Sequence, residues 1–193
     1  MSSGSSAPVL SDVMMAEAEV SLRLAFHLLS HPKSGPSATV AIDGAHVRVH
    51  GNEVFPLRSF LESQGWSPVT ALDAALWQGT YVKGQKKILI TTQSGIGDVV
   101  IDVGPKTIRA ECKKGPLIPK KGSPEYPLVR GAIGQLMTIE DAPANNLLVV
   151  AVPLTERFRK LLARWRDRPL IQRTGILLVA VGRSETVEGL PPL

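Results

Sequence analysis

The chain has 193 residues, of which 44% are hydrophobic and 20% are charged. This length suits one domain with a substantial core, and the composition excludes disordered and fibrous proteins. The net charge of +5 favours an anionic partner, and the single cysteine excludes an internal disulfide. The sequence starts without a basic flank leading into an apolar run, and no uncharged stretch reaches about 18 residues. We therefore expect a soluble, cytoplasmic protein without a membrane partner.

The N-terminal part of the chain predicts a tail, a helix and a hairpin. Residues 1–11 are rich in Ser and Gly, so we expect them to be disordered. Residues 12–30 predict a helix that Asp12 can cap. A hairpin is predicted next, with Asp43-Gly44 as its turn. Residues 12–55 are therefore interpreted as an N-terminal helix-and-hairpin extension, a candidate surface for a homodimer or a larger assembly.

The rest of the chain predicts one α/β core over residues 56–188, followed by a C-terminal tail at 189–193. A short helix after Pro56 and a strand in KKILITTQ open this core. Two strands come next, DVVIDV and TIRAECK, followed by a helix in YPLVRGAIGQLMTIE. The chain then predicts a buried strand (NNLLVVAVP), an arginine-rich helix (TERFRKLLARWRDRP) and a final strand (GILLVAVG). The prediction is a single α/β domain.

The most informative pattern is a lone Asp98 followed by Glu111-x-Lys113. Successive side chains of a strand point to opposite faces, so Glu111 and Lys113 project together. Asp98 and Asp102 share the polar face of the preceding strand. If the two polar faces coincide, carboxylates meet beside a lysine, and such hard oxygen ligands suit Mg²⁺ or Mn²⁺. Asp98 is favoured over Asp102, because Asp102 lies near the turn, where Asp is common for local reasons.

Residues 86–152 resemble the PD-(D/E)xK nuclease superfamily, whose signature is an Asp on one strand and Glu-x-Lys on the next. The resemblance also rests on the order of elements, which is strand, strand, strand, helix, strand. It implies the restriction-endonuclease-like fold, a mixed central sheet flanked by helices, here with the N-terminal helix-and-hairpin extension added.

The resemblance assigns roles to five residues of the motif region. Asp98 and Glu111 become the metal-binding carboxylates, and the backbone carbonyl of Cys112 becomes a further ligand. Lys113 becomes the residue that orients or activates the attacking water. Gln135, in the following helix, takes the place of a polar residue that supports the site. The implied cofactor is Mg²⁺ or Mn²⁺.

Other acidic residues and the histidines are less clearly assigned by the sequence. In the superfamily a helix before the first core strand often contributes another glutamate. Glu62 is the best candidate by position, with Glu17 and Glu19 on the first helix as competitors. His46 and His50 lie in the predicted hairpin without a Cys partner or a His-Glu pattern, so they are assigned no chemistry.

The predicted function is metal-dependent hydrolysis of phosphodiester bonds in nucleic acid, by a DNA endonuclease. An exonuclease is less favoured, because position 139 is Ile where one exonuclease-related subgroup has Tyr. Clustered basic residues predict contacts with the phosphate backbone by Lys114, Lys120, Lys121, Arg130, Arg157, Lys160 and Arg164. The alternative is a catalytically silent nuclease-like module that binds DNA or a protein partner within a larger assembly.

Overall fold

The structure, a computed structural model, describes residues 9–69, 77–92, 97–119, 121–122 and 124–193. Most of the tail predicted at 1–11, together with Lys120, lies outside these residues. Leu10 packs against the core, and so do Leu190 and Leu193 from the predicted C-terminal tail. The Lys33 ammonium donates to the Leu193 carbonyl at 3.0 Å, so the last residues are held against the body of the protein.

Five α-helices and thirteen strands occur within the described residues. The helices are α1 (Glu17–Ser30), α2 (Leu57–Ser63), α3 (Glu125–Leu136), α4 (Glu156–Arg166) and α5 (Pro169–Thr174). The strands are β1 (Met14–Met15), β2 (Ser34–Ala41), β3 (Arg48–Val49), β4 (Asn52–Glu53), β5 (Ser67–Pro68), β6 (Gly79–Lys83), β7 (Lys86–Thr91), β8 (Val99–Val103), β9 (Lys106–Cys112), β10 (Gly115–Pro116), β11 (Asn146–Pro153), β12 (Leu177–Val181) and β13 (Val187–Glu188). Within the same residues, no helix is both long and apolar enough to cross a membrane.

Nine of the described strands form one mixed sheet in the order β13-β12-β11-β9-β8-β2-β7-β6-β5. The pairs β9/β11, β11/β12 and β2/β7 are parallel, and the other neighbours are antiparallel. The α/β class predicted from the sequence is confirmed at this level. Because β8 runs against β2 and β9, the carboxyl ends of β2, β7, β9, β11 and β12 meet at the edge where β8 begins. Such an edge is where ligands usually bind in open α/β sheets.

The N-terminal segment lies in the centre of this fold and does not form the predicted extension. Strand β2 pairs with β7 on one side and with β8 on the other. The hairpin predicted across Asp43-Gly44 is wrong, because a 3₁₀ turn at Gly44–His46 follows β2 there. The hairpin turn is instead at His50 and Gly51, whose φ angles of 48° and 82° suit the tight connection between β3 and β4.

Helix α1 has apolar residues on several sides because other elements cover two of its sides. One side packs across β2, β8, β9, β11 and β12. On the other side, Phe26 stacks on Phe60 of α2 at 6.1 Å and on Trp66 at 5.5 Å between ring centroids. The helix starts without a side-chain cap at Ala16, so the predicted cap by Asp12 is wrong. Helix α2 and Trp66 therefore cover the side of α1 that faces away from the sheet, and β7, β6 and β5 widen the sheet beyond β2.

The two faces of the sheet have separate hydrophobic cores. The face under α1 buries Val99, Ile101, Ile108, Ala110 and Cys112. The opposite face is covered by α3 and α4 and buries side chains including Val150, Val152, Phe158 and Leu162. The predicted hairpin of β8 and β9, the helices α3 and α4, and the buried strands β11 and β12 are all confirmed. Glu111 belongs to the α3 face, beside Val150 in the register of β9 and β11.

Candidate active site

The end of β9 brings Glu111 into the same cleft as Asp98, the residue before β8. The register of the two strands starts with Val99 and Ala110, so Asp98 lies just outside the paired residues. The Asp98 N–H donates to the Ala110 carbonyl at 2.7 Å, and the Asp98 carbonyl accepts from the Ala41 N–H of β2 at 2.8 Å. Gly97 enters the strand at a φ of +103°, and a Cβ there would lie 3.1 Å from the Ala110 carbonyl oxygen. Glycine therefore allows this approach to β8.

The carboxyl of Asp98 is mostly buried and is held by the backbone. Its Oδ2 accepts a hydrogen bond from the Cys112 N–H at 2.7 Å. Burial raises the pKa of Asp98 from 3.8 to about 7, and the charge of Glu111 adds to that rise. The Cys112 N–H offsets only part of the effect.

Glu111 and Lys113 form a partly buried ion pair. Lys113 Nζ lies 2.7 Å from Glu111 Oε1, and the two side chains are 14% and 10% exposed. Burial raises the pKa of Glu111 in spite of this partner. Burial alone lowers the pKa of Lys113, but its hydrogen bond to Glu111 and the charges of Glu17 and Asp98 bring that pKa above its ordinary value. The contact with Glu111 therefore favours the ammonium form of Lys113.

Glu17 reaches the same place from the first turn of α1. Its side chain is only 14% exposed, and its Oε1 lies 3.4 Å from His46 Nδ1. Its Oε2 accepts from the Lys114 N–H at 3.4 Å. The short ladder that pairs Met15 with Gly115 ties the start of α1 to the chain leaving β9. This pairing explains how residues so far apart in sequence come to share one site.

These side chains line a cleft of about 440 Å³ at the carboxyl edge of the sheet. Its acidic lining comes from Glu17, Asp43, Asp98 and Glu111, and its basic lining from Lys113 and His46, with Gln135, Thr92, Ser21, Ala18, Ala41, Ile42 and Gly44 completing the wall. The acidic side chains of the cleft therefore outnumber its basic ones, and Glu17, Asp98 and Glu111 are mostly buried. Carboxylate oxygens are hard ligands of the kind that Mg²⁺ and Mn²⁺ bind.

The donors of the cleft are engaged with one another and are not gathered around one point. Among the residues that the structure describes, no three His, Cys, Asp or Glu side chains stand close enough together to hold a metal ion. Lys113 holds Glu111 Oε1, and His46 approaches Glu17 Oε1. A metal ion would compete with these two contacts for its ligands.

The remaining candidates from the sequence divide between the cleft and other places. Gln135 is exposed on α3 and lines the cleft. Asp102 is exposed near the β8–β9 turn, where its Oδ1 accepts from Thr107 Oγ1 at 2.7 Å. Glu62 pairs with Arg58 along α2 at 3.0 Å. Neither Asp102 nor Glu62 lines the cleft, whereas Asp98 and Glu17 do.

His46 is the cleft residue to which the sequence assigned no chemistry. The 3₁₀ turn at Gly44–His46 starts at Asp43, whose Oδ1 accepts from the Ala45 N–H at 2.9 Å. This turn carries the imidazole to Glu17. The sequence predicts Asp43 as a hairpin turn residue. No local pattern in the sequence shows that this turn faces the start of a helix some thirty residues earlier.

The predicted phosphate-binding residues fall into two groups. Lys114 leaves β9 beside the cleft, and Lys121 is exposed in the loop before α3. Arg130 lies on α3 with its guanidinium 6.0 Å from the centroid of the Tyr126 ring. The other group lines an open groove of about 490 Å³ between α3 and α4 and consists of Arg157, Lys160 and Arg164.

Comparison of the chain with protein-family models, with curated proteins and with solved structures found no match.

Proposed function

We propose that this chain is a metal-dependent nuclease of the PD-(D/E)xK type that hydrolyses phosphodiester bonds in DNA. The order of β2, β8, β9, α3 and β11 supports this proposal, because it is the strand, strand, strand, helix, strand order of that superfamily. The helix α1 before the first of these strands contributes Glu17 to the cleft. In this interpretation α2 and the strands β3 to β7 are added between the first and second strands of a restriction-endonuclease-like core.

The convergence of Asp98, Glu111 and Lys113 in one cleft is the observation that carries the proposal. Asp98 and Glu111 line the same cleft, and Lys113 contacts Glu111 directly. Burying carboxylates without enough cations is unfavourable, so such an arrangement persists mainly where it serves a function. A divalent cation and a phosphodiester would complete the charge balance of this cleft.

In the proposed mechanism, Asp98, Glu111 and the Cys112 carbonyl would hold the metal, and Glu17 is a further carboxylate within the cleft. A bound divalent ion would supply Lewis acidity for the hydrolysis. The ammonium of Lys113 has three N–H donors, of which one bonds Glu111, so the others can orient the attacking water or stabilise charge on the phosphate. Lys114, next to the cleft, is placed to contact the backbone without reading sequence.

Substitutions on β8 and β9 test the proposal. Asp98→Ala, Glu111→Ala and Lys113→Ala are each expected to lower Mg²⁺-dependent DNA cleavage about a thousandfold or more, because each removes a ligand or the charge beside the scissile phosphate. The matched control is Asp102→Ala, which removes an exposed aspartate of β8 outside the cleft. The assay measures cleavage of linear, circular, single-stranded and branched DNA in Mg²⁺ and in EDTA.

Two outcomes contradict the proposal. If the three variants cleave as well as the parent chain, the cleft does not carry the activity. If the parent chain binds these DNAs but cleaves none of them in Mg²⁺ or Mn²⁺, the silent nuclease-like module becomes the better account.

A further inference from the structure

An open groove separates α3 from α4, apart from the candidate active site. Its volume is about 490 Å³, and it is lined by Glu125, Tyr126, Arg157, Lys160, Leu161 and Arg164. The hydrophobic core beneath it holds the helices together through Val129, Phe158 and Leu162. The groove therefore lies on a packed support and not on a loop.

The side chains that line the groove carry a net positive charge. Its acid, Glu125, is almost fully buried and lies 3.9 Å from Arg157 Nη1. Arg157 also donates to the Gly122 carbonyl at 3.1 Å, so it has a structural role in the loop before α3. Lys160 pairs with Glu156 at 3.1 Å, but both side chains are well exposed, and such a pair is worth little in water. Lys160 and Arg164 are therefore the cations best placed to contact a phosphate.

Tyr126 gives the groove an aromatic wall. Its edge-to-face contact with Trp165, at 5.1 Å between ring centroids, fixes the ring against α4. The residue nevertheless remains 45% exposed. A fixed, partly exposed ring beside exposed cations is the arrangement by which proteins bind single strands, with bases stacking on the ring and phosphates contacting the cations.

We propose that the groove between α3 and α4 binds a single-stranded segment of nucleic acid, with a base stacked on Tyr126 and phosphates held by Lys160 and Arg164. This inference rests on the proposed function in taking nucleic acid as the ligand. It adds that the substrate has a single-stranded portion, since the bases of an intact duplex are paired and stacked and cannot reach the ring.

Helix α3 connects this groove with the candidate active site. Tyr126 lines the groove and Gln135 lines the cleft, nine residues further along the same helix. That separation corresponds to about 14 Å at 1.5 Å per residue.

Binding without metal separates this inference from the proposed function, because no cleavage is needed. The full chain is titrated in EDTA against a fluorescent 12-residue oligothymidine and against a duplex of the same length, with anisotropy as the readout. The variants are Tyr126→Leu, Tyr126→Phe and the double variant Lys160→Gln/Arg164→Gln. The charge-matched control is Lys87→Gln/Lys106→Gln, which removes two exposed lysines of β7 and β9 that do not line the groove. Melting temperatures verify that each variant folds.

The inference predicts that Tyr126→Leu raises the Kd for oligothymidine about 5- to 150-fold, the range measured for losing one stacked base. Tyr126→Phe keeps the parent affinity, and the duplex Kd changes less than about twofold for either variant. Removing Lys160 and Arg164 weakens binding of the single strand and reduces the slope of log K against log salt by about 1.4, at about 0.7 per phosphate contact of a single strand. The control lowers this slope by much less.

Three results overturn the inference. The first is an unchanged Kd for oligothymidine in folded Tyr126→Leu, and the second is an equal loss of affinity for single strand and duplex. The third is equal competition by polyglutamate and by unlabelled oligothymidine at matched charge, which would identify the groove as a site for acidic protein segments.

Discussion

Two clusters of charged side chains include residues from the start of α1. They differ in whether basic side chains match the acidic ones. Glu19 is 1% exposed, and both of its oxygens are held by arginine: Arg183 donates to each at 2.8 Å, and Arg23 donates to one at 3.0 Å. Glu17, two residues earlier, lies in a cleft with Asp98 and Glu111, where the carboxylates exceed the cations.

The pairing of buried charges separates a structural cluster from a candidate functional one. The Glu19 cluster is complete, since Arg23 also donates to the Arg183 carbonyl at 2.7 Å and lies over the Phe60 ring at 5.1 Å. Such a network fastens α1 to the chain after β12. The Glu17 cluster is incomplete, and the pKa of Asp98 is raised to about 7 because burial is not compensated by a cation. An incomplete buried cluster of this kind is a candidate functional site.

The largest expected effect is on cleavage by Glu111→Gln. The amide keeps the shape of the side chain and can still accept from Lys113, so folding should change little. Cleavage should fall about a thousandfold or more, because a carboxylate ligand and its charge are lost. Cleavage rates and melting temperatures, measured on one preparation, test both parts. A variant with a lowered melting temperature and a normal cleavage rate would show that Glu111 supports folding and not cleavage.

Glu19→Gln should have the opposite profile. Removing a carboxylate that is held by two arginines leaves buried charge without its partner, so the free energy of unfolding should fall by about 3 kcal/mol. Urea unfolding measures this loss. The metal dependence of cleavage should be that of the parent chain at temperatures where the variant is folded, and a changed metal dependence would show that this cluster is not purely structural.

Asp98→Asn should stabilise the metal-free protein at pH 8. Because the folded-state pKa of Asp98 is raised, its contribution to stability is complete below pH 3.8 and is lost as pH rises to about 7. Asparagine removes this penalty, which is on the order of 4 kcal/mol at about 1.4 kcal/mol per pKa unit, and can keep the hydrogen bond from the Cys112 N–H. Mg²⁺ should raise the melting temperature of the parent chain but not of this variant. A variant less stable than the parent in EDTA would contradict the explanation.

The smallest predicted effect concerns the choice between Glu17 and Glu62. Glu17→Gln should weaken Mn²⁺ binding about tenfold, because it removes one carboxylate from the edge of the cleft. Glu62→Gln, on the surface of α2, serves as the matched control and should bind Mn²⁺ like the parent. Calorimetric titration measures both affinities. Equal affinities of the two variants would remove Glu17 from the site.

The central hairpin was predictable because its signals are local. Strict alternation in TIRAECK places Glu111 and Lys113 on one face, and the structure confirms the strand and its pairing with β8. The choice of Asp98 over Asp102 also followed from position, since the latter lies by the turn. The buried strands β11 and β12 and the arginine-rich helix α4 were visible from their apolar patterns for the same reason.

The N-terminal half was not predictable in the same way because its pairings are distant in sequence. Strand β2 pairs with β8, and the insertion between them carries the neighbour β7. Strands close in sequence usually pair, so Asp43-Gly44 suggested a hairpin that does not form. That error hid the approach of His46 to Glu17, which the sequence offers only as a competitor of Glu62, since this contact depends on where β2 and α1 lie.

The most direct test of the central claim is a crystal of the protein soaked in Mn²⁺ and measured for anomalous scattering. We predict a peak about 2.2 Å from carboxylate oxygens of Asp98 and Glu111 and from the Cys112 carbonyl oxygen. This distance is near that from a hard divalent ion to an oxygen ligand. The Glu19 cluster in the same crystal should show no peak. An empty cleft at saturating Mn²⁺, or a peak only at exposed carboxylates such as Asp102, would contradict it.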